Sequence, residues 1–214
     1  MSSLNLIVAD DHPLFRKALT EALQESDYQV NILETECLAT TKEILEKQKG
    51  DVDVLFLDLQ MPGSEGIMGL IEIKNAYPEI AVVVVTANKS NKIMQQVKAA
   101  GALGYLPKSL TLNEMVEEMN KLFKGYPSFP PDIEQNQPSE ADLEAVRKIA
   151  SLTPQQQKVL TLISKGFLNK QIAYELDVKE TTIKTHVSEI FRKLGIYNRT
   201  QAAVYRQYME HDDS

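Results

Sequence analysis

The 214-residue sequence contains a single cysteine, Cys37. An internal disulfide and a cysteine-rich zinc site are therefore excluded, and nothing calls for an oxidising compartment. No uninterrupted apolar run approaches the roughly twenty residues a membrane span needs. The amino terminus surrounds a short apolar run with Asn5, Asp10 and Asp11. It lacks the basic flank and long apolar core of a secretory signal, so a cytoplasmic location is expected and no membrane partner. No G-x-G-x-x-G or G-x-x-x-x-G-K-S/T element follows the first apolar run, which argues against a nucleotide cofactor.

Positive charge is also in deficit, with a formal net charge of −7. The deficit is unevenly spread. Residues 1–130 hold 12 basic and 18 acidic side chains (−6), and residues 131–214 hold 11 and 12 (−1). Within 152–206 the count is 9 basic to 4 acidic, or +5. A nucleic-acid footprint needs only a local field near the phosphates, so this block keeps DNA binding open.

Short runs dense in branched and aliphatic residues punctuate the first part: Leu4–Ala9, Val52–Leu57 and Ala81–Val85, with Tyr28–Leu33 and Leu103–Leu106 as weaker partners. They read as buried parallel strands. Between them Leu14–Gln24, Leu38–Lys47, Ile67–Ala76, Lys92–Ala100 and Leu112–Lys124 have helical spacing. In the first helix Leu14, Ala18, Leu19, Ala22 and Leu23 supply the apolar stripe, and Pro13 suits its first turn. The pattern predicts an α/β fold, a doubly wound five-stranded parallel sheet whose crevice lies beyond the carboxyl ends of the strands.

Pro127, Pro130, Pro131 and Pro138 then mark a boundary. We expect a first domain over 1–125 and a partly helical linker over 126–150, with Ser139 capping a helix over Ala141–Ala150. A small all-α domain over 151–214 follows. Its predicted helices are Pro154–Ser164 after a Thr153 cap, Asn169–Leu176, Thr181–Leu194 and Arg199–Met209.

Asp10 and Asp11 follow the first strand, and Asp58 follows the third. In a sheet of order 2-1-3-4-5 these strands are neighbours, so the three acids meet. Crowded carboxylates repel one another and desolvate poorly without a cation. A hard divalent ion such as Mg2+ resolves that cost. Thr86 and Lys108 end the fourth and fifth strands and bring a hydroxyl and an ammonium to the same edge. Taken singly, each acid reads as a helix cap, Thr86 as a turn residue and Lys108 as a surface charge. Together they form a set competent to accept a phosphoryl group.

Asp10-Asp11, the run Leu57-Asp58-Leu59-Gln60-Met61-Pro62-Gly63 with Gly66, Thr86-Ala87, and Gly101 to Lys108 resemble the receiver domain of two-component response regulators. The resemblance covers about residues 4–124. It implies that Asp58 is the phosphoacceptor and that Asp10, Asp11, Asp58 and a Gln60 backbone carbonyl hold Mg2+. It further implies that Lys108 grips phosphoryl oxygens, and that Thr86 and Tyr105 move as the switch. Many receivers place a cis-proline after the lysine; here Ser109 follows and Pro107 precedes.

In the helix over Thr181–Leu194, Ile183, Val187, Ile190 and Leu194 recur at inward spacing. Thr181, Lys184, Thr185, Ser188 and Arg192 lie broadly opposite. A short-chained polar face with cations suits a major groove, with Lys170 and Lys193 positioned for phosphate. Each lysine alone also reads as a solvated surface residue. His186 suits either phosphate or the core.

Leu152-Thr153-Pro154, Gly166, Asn169-Lys170, Ile172-Ala173, Thr182-Ile183-Lys184-Thr185-His186, Lys193-Leu194-Gly195-Ile196 and Asn198 to Ala202 are similar to the LuxR/FixJ/NarL-type helix-turn-helix domain. The similarity implies Lys184, Thr185 and Ser188 near the bases, and Thr182 and His186 are further DNA-binding candidates on the same helix. It also implies a dimer surface on the last helix, with Val204 and Tyr208 as an apolar pair. Two departures stand out. Gln155, Gln156, Gln157 and Lys158 replace the usual acids, and Lys179 replaces the usual serine cap. Lysine cannot accept the helix-terminal N–H bond, although it can reach phosphate.

These readings combine into a transcription regulator phosphorylated on Asp58 by a sensor histidine kinase or a small phosphodonor, dimeric when active, and bound to double-stranded DNA. Such a protein is not a dedicated enzyme. Two alternatives remain: a DNA binder whose receiver-like domain is only an interaction module, and a metal-dependent phosphohydrolase with Asp58 as nucleophile.

Overall fold

The computed structural model describes residues 3–48, 50–64, 66–88, 90–130 and 139–208. Pro131, Pro138 and Met209 lie outside them. The chain divides into two compact units, the second beginning at Ser139. No helix among the described residues is long and apolar enough to cross a membrane.

The first unit alternates β1 (Leu4–Ala9), α1 (Pro13–Gln24), β2 (Val30–Thr35), α2 (Leu38–Lys47), β3 (Val54–Asp58), α3 (Ile67–Ala76), β4 (Ala81–Thr86), α4 (Asn91–Ala99), β5 (Gly104–Pro107) and α5 (Leu112–Phe123). The five strands form one parallel sheet in the order β2-β1-β3-β4-β5. Every residue of β3, and Val82 to Thr86 of β4, is buried, because helices cover both faces. On one face Leu6, Val8, Phe56, Val83 and Val85 pack with Leu19 and Leu23 of α1 and with Met115, Met119 and Leu122 of α5. The α1 stripe differs from expectation at its start. Leu14 is 87% exposed, and Phe15 takes the inward place, in phase with Leu19, Ala22 and Leu23. The strand β2 also runs two residues later than the apolar pattern predicts, because Glu34 and Thr35 continue its pairing with Val8 and Ala9.

The segment after α5 is not a free linker at its start. Ser128 bridges Gly104 in parallel fashion: the Tyr105 amide donates to the Ser128 carbonyl (2.8 Å), and the Ser128 amide donates to the Leu103 carbonyl (3.2 Å). The Ser128 hydroxyl donates to Glu118 of α5, and the Lys98 ammonium lies over the Phe129 ring. Glycine at 104 permits this approach.

The second unit comprises α6 (Glu140–Ala150), α7 (Pro154–Ser164), α8 (Asn169–Glu175), α9 (Glu180–Leu194) and α10 (Arg199–Ala202). The last predicted helix is α-helical only to Ala202 and continues as a 3-10 helix over Ala203–Tyr208. Ser139 caps α6 and Thr153 caps α7 as expected, the latter in a reciprocal box with Gln156. Val146 and Ile149 of α6 are buried and α6 packs on α9, so this helix belongs to the second unit. The tight turns that end α7 and α9 place Gly166 and Gly195 at positive φ (89° and 70°), where a side chain would be strained. Lys179 precedes α9 without a side-chain cap, as its chemistry requires.

A Cβ on residue 104 would stand 2.9 Å from Leu122 Cδ2 and 3.0 Å from the Ser128 carbonyl. Gly104→Ala is therefore expected to destabilise the first unit by about 1–3 kcal/mol, the usual cost of overpacking. Chemical denaturation followed by far-UV circular dichroism checks this, and an unchanged midpoint would contradict it.

Candidate functional site

Two neighbouring strands deliver the acids. Asp10 follows the last residue of β1, Asp58 is the last residue of β3, and they are 1% and 0% exposed. Asp11 is half-buried at the mouth. Lys108 follows β5 and reaches across the end of β4, its ammonium 2.7 Å from Asp10 Oδ2 and 2.8 Å from Asp58 Oδ2. Only the Asp58 contact has hydrogen-bond geometry; Asp10 Oδ2 is a buried oxygen in an ion pair but without a hydrogen-bond partner. Asp58 Oδ1 accepts from the Gln60 amide (3.0 Å), and Asp10 Oδ1 accepts from the His12 amide (2.8 Å). Burial raises the Asp58 carboxyl above its ordinary pKa, although Lys108 and the Gln60 amide pull the other way.

Asp10, Asp11, Asp58 and His12 each bring a ligand atom within 4.8 Å of the others, a set that could hold a metal ion. The donor chemistry fits a divalent cation. Asp10 Oδ2 and Asp11 Oδ1 are buried oxygens without hydrogen-bond partners, and two buried carboxylates, those of Asp10 and Asp58, face a single ammonium. His12 went unnoticed in the sequence. Its position beside two aspartates was the available signal.

Thr86 and Tyr105 lie on adjacent strands and converge on one loop residue. Thr86 is 1% exposed, and its hydroxyl oxygen accepts from the Asn88 amide (3.2 Å). Tyr105 is equally buried, and its hydroxyl donates to the Asn88 carbonyl. Burial raises the Tyr105 phenol well above its ordinary value. Lys108 donates its own amide to the Thr86 carbonyl (2.9 Å), so the lysine and the switch candidates share a backbone tie. Asn88 had no distinguishing sequence signal. Among the described residues no peptide bond is cis, so Pro107 closes β5 in the trans form.

On α9, Ile183, Ile190 and Leu194 are buried, while Thr181, Thr182, Lys184, Thr185, Ser188 and Arg192 are exposed. Lys170 on α8 and Lys179 before α9 are exposed as well. Thr185 and Ser188 donate their hydroxyls to the carbonyls of Thr181 and Lys184 one turn back (3.2 and 3.0 Å). Lys184 pairs with Glu180 at 3.0 Å. His186 is half-buried, with Nδ1 lacking a hydrogen-bond partner.

Two expectations change. The Lys193 ammonium is not directed to solvent: it donates to the Ser151 carbonyl and to Gln156 Oε1, both at 2.9 Å. Gln156 in turn donates its Nε2 to Glu189 (2.6 Å), so this glutamine is the polar hub joining α7 to α9. Tyr208 does not form an exposed pair with Val204. It is 6% exposed, donates to Asp142 Oδ1 (2.5 Å) and packs near Tyr205, whereas Val204 is 60% exposed.

Two family models match the chain: "Response regulator receiver domain" over residues 6–120, and "Bacterial regulatory proteins, luxR family" over 150–206. A glycerol metabolism activator of Pseudomonas putida is 38% identical over 92% of this chain and 92% of its own length. The transcriptional regulatory protein DegU of Brevibacillus brevis is 26% identical over 95% and 92%. Among solved structures, RcsB of Salmonella enterica serovar Typhimurium, bound to a promoter in the presence of a phosphomimetic, aligns at a TM-score of 0.56. It is 28% identical over 95% of this chain and 98% of that one. An RcsB–DNA complex aligns at 0.57 and 28% identity over 97% and 99%. With both family models seated on the two units described above, the chain belongs to the response regulators that join a receiver domain to a LuxR-family DNA-binding domain.

Proposed function

We propose that Asp58 accepts a phosphoryl group from a histidine kinase or a small phosphodonor and that this modification controls DNA binding by the helical unit. The observation that carries the reading is the Lys108 ammonium held between two buried carboxylates, Asp10 and Asp58. In the transfer the P–N bond of a phosphohistidine, or the P–O bond of a small donor, breaks as a P–O bond forms to an Asp58 carboxylate oxygen. Mg2+, held by Asp10, Asp11, Asp58 and the Gln60 carbonyl, would supply charge neutralisation for the phosphoryl oxygens. Lys108 is placed to exchange its carboxylate contact for one to a phosphoryl oxygen. The Gln60 amide orients the acceptor.

Phosphorylation adds about −1.5 to −2 charge and new acceptor oxygens. Thr86 brings a hydroxyl to the end of β4. Its turn toward the phosphoryl group would release the Asn88 amide, and Tyr105 would respond because it is anchored to the same residue. The Tyr105 amide is bonded to Ser128, so the response has a short backbone route to the segment leading out of the receiver.

The helical unit meets the DNA through α9. Lys184, Thr185 and Ser188 face the bases, with Thr182 and His186 beside them, while Lys170, Lys179 and Arg192 meet phosphates. Because Thr185 and Ser188 spend their protons on helix carbonyls, their oxygens are left as acceptors for base amino groups. Two copies would occupy half-sites about one helical turn apart, with Val204 contributing to the dimer surface. We assign residues 1–125 to the receiver, and a DNA target implies a cytoplasmic site of action.

Acetyl phosphate with Mg2+ is expected to tighten binding of the intact protein to DNA selected from a random pool. The expected gain is within the roughly 5- to 150-fold range of ordinary coupling energies. Asp58→Asn should show no response to the donor; an unresponsive wild type would overturn the switch.

Lys184→Ala should weaken DNA binding by about 1–3 kcal/mol. Lys193→Ala should instead lower the thermal midpoint and leave the salt dependence of binding unchanged, since its ammonium is spent inside the unit.

The raised Asp58 pKa has a stability signature. A group whose folded pKa lies above its unfolded value supports the fold at low pH and ceases to do so as pH rises through the folded value. In buffer without divalent ions, Asp58→Asn should therefore raise the unfolding temperature, with a gain that grows as pH rises above the ordinary carboxylate value of about 4. Calorimetry across that range checks the sign, and a constant difference would contradict it.

A further inference from the structure

The imidazole of His12 turns one nitrogen into the acidic crevice. Its Nδ1 lies 2.7 Å from Asp11 Oδ1, 3.4 Å from Asp10 Oδ1 and 3.9 Å from Asp58 Oδ2. The backbone fixes this placement: the His12 amide donates to Asp10 Oδ1, and Pro13 starts α1 immediately afterwards. Lys108 occupies Asp10 Oδ2 and Asp58 Oδ2, whereas Nδ1 lies closest to Asp11 Oδ1 and Asp10 Oδ1. Ligands bound at about 2.1 Å to one octahedral ion stand roughly 3.0 Å apart when adjacent and about 4.2 Å apart when opposed. The 3.4 and 3.9 Å distances fall between those limits, and the 2.7 Å distance to Asp11 lies about 0.3 Å inside the adjacent spacing. Asp10 is 1% exposed, and its Oδ2, although ion-paired with Lys108, has no hydrogen-bond donor to satisfy it.

We propose that His12 is a nitrogen ligand of the crevice and biases its metal preference toward the later first-row divalent ions, relative to Mg2+. The proposal rests on the reading of the crevice as the metal site. Carboxylate and carbonyl oxygens suit Mg2+ and Mn2+, whereas imidazole suits Zn2+, Ni2+ and similar ions, and affinity rises along the series through Co2+ and Ni2+. Adding one nitrogen to an oxygen set therefore does little for Mg2+ and much for Co2+ or Zn2+. The side chain is 63% exposed, so it can adjust by the few tenths of an ångström that ligation requires without disturbing the core.

The competing role is a simple ion-pair contact that orients Asp11. Two variants separate the roles. His12→Ala removes both the contact and the ligand. His12→Asn keeps an amide donor for Asp11 but offers no nitrogen lone pair.

The intact protein is titrated with MgCl2 by calorimetry and with CoCl2 by visible absorption, and circular dichroism verifies that each variant is folded. We expect Co2+ affinity to fall at least about tenfold in both variants, a loss typical of a disturbed metal shell. Mg2+ affinity should move by less than about twofold, and the Co2+ spectrum should shift toward that of an all-oxygen site. Equal changes for both ions, no change for either, or rescue of Co2+ binding by His12→Asn would overturn the nitrogen ligand while leaving the crevice as a metal site. If wild type binds neither ion, or if Asp11→Asn leaves both affinities intact, the metal-site reading itself falls.

Discussion

Two carboxylates withdrawn from water, those of Asp10 and Asp58, share one ammonium, that of Lys108. The rest of the receiver is arranged so that this contact can exist. Asp10 and Asp58 meet because β1 and β3 are neighbours, which a 2-1-3-4-5 sheet secures by placing the first crossover on one side and the later ones on the other. Lys108 starts two strands away from Asp58, roughly 10 Å at the usual strand spacing, so it must pass over the end of β4. A short side chain at that end, Thr86, leaves the path clear. Burial makes the arrangement responsive: one ammonium is shared by two buried carboxylates, so a further cation at the crevice would meet acceptors that Lys108 alone does not satisfy.

The helical unit solves a smaller version of the same problem with different chemistry. Here a lysine ammonium, that of Lys193, is met by a neutral amide and a backbone carbonyl, while the acid Glu189 takes the amide's N–H. Gln156 thus stands between a cation and an anion and is bonded to both. A carboxylate at this position could accept from Lys193 but would repel Glu189, so the glutamine run that departs from the family pattern is matched to its surroundings. Together these bonds brace α9 against α7 and leave its outer face free of structural duties.

How much of this was legible in the sequence depended on whether the signal was local. The strands β1 and β4 and the helices α2, α3 and α7 follow closely from apolar period and caps, and the acids at strand ends follow from them. Leu14 misled because the period permits either Leu14 or Phe15 to lead the stripe, and only packing on the sheet selects the aromatic. The end of β2 was missed because Glu34 and Thr35 are polar residues recruited by pairing with β1, not by their own preference. The contacts of Lys193 and Tyr208 within the unit were hidden for a related reason. An ammonium bonded inside a domain and one in solvent look identical in sequence, and so do a tyrosine that packs inward and one that faces a partner. Asn88 matters through contacts made by tertiary closure, which spacing alone does not encode, whereas His12 carried a local signal in its place beside Asp10 and Asp11.

The bridge between Ser128 and β5 has a bearing on how copies of this chain can meet. A parallel sheet with an open margin presents unpaired amides and carbonyls, a template onto which another strand can add. On the β5 side the Tyr105 amide and the Leu103 carbonyl are already satisfied by Ser128, and the Ser128 hydroxyl is itself tethered to Glu118. The segment therefore acts as a selvedge that finishes the sheet at its β5 margin. At that bridge strand addition is blocked, which favours contacts through side chains, whose fit and charge can change, over backbone pairing, which is indifferent to sequence.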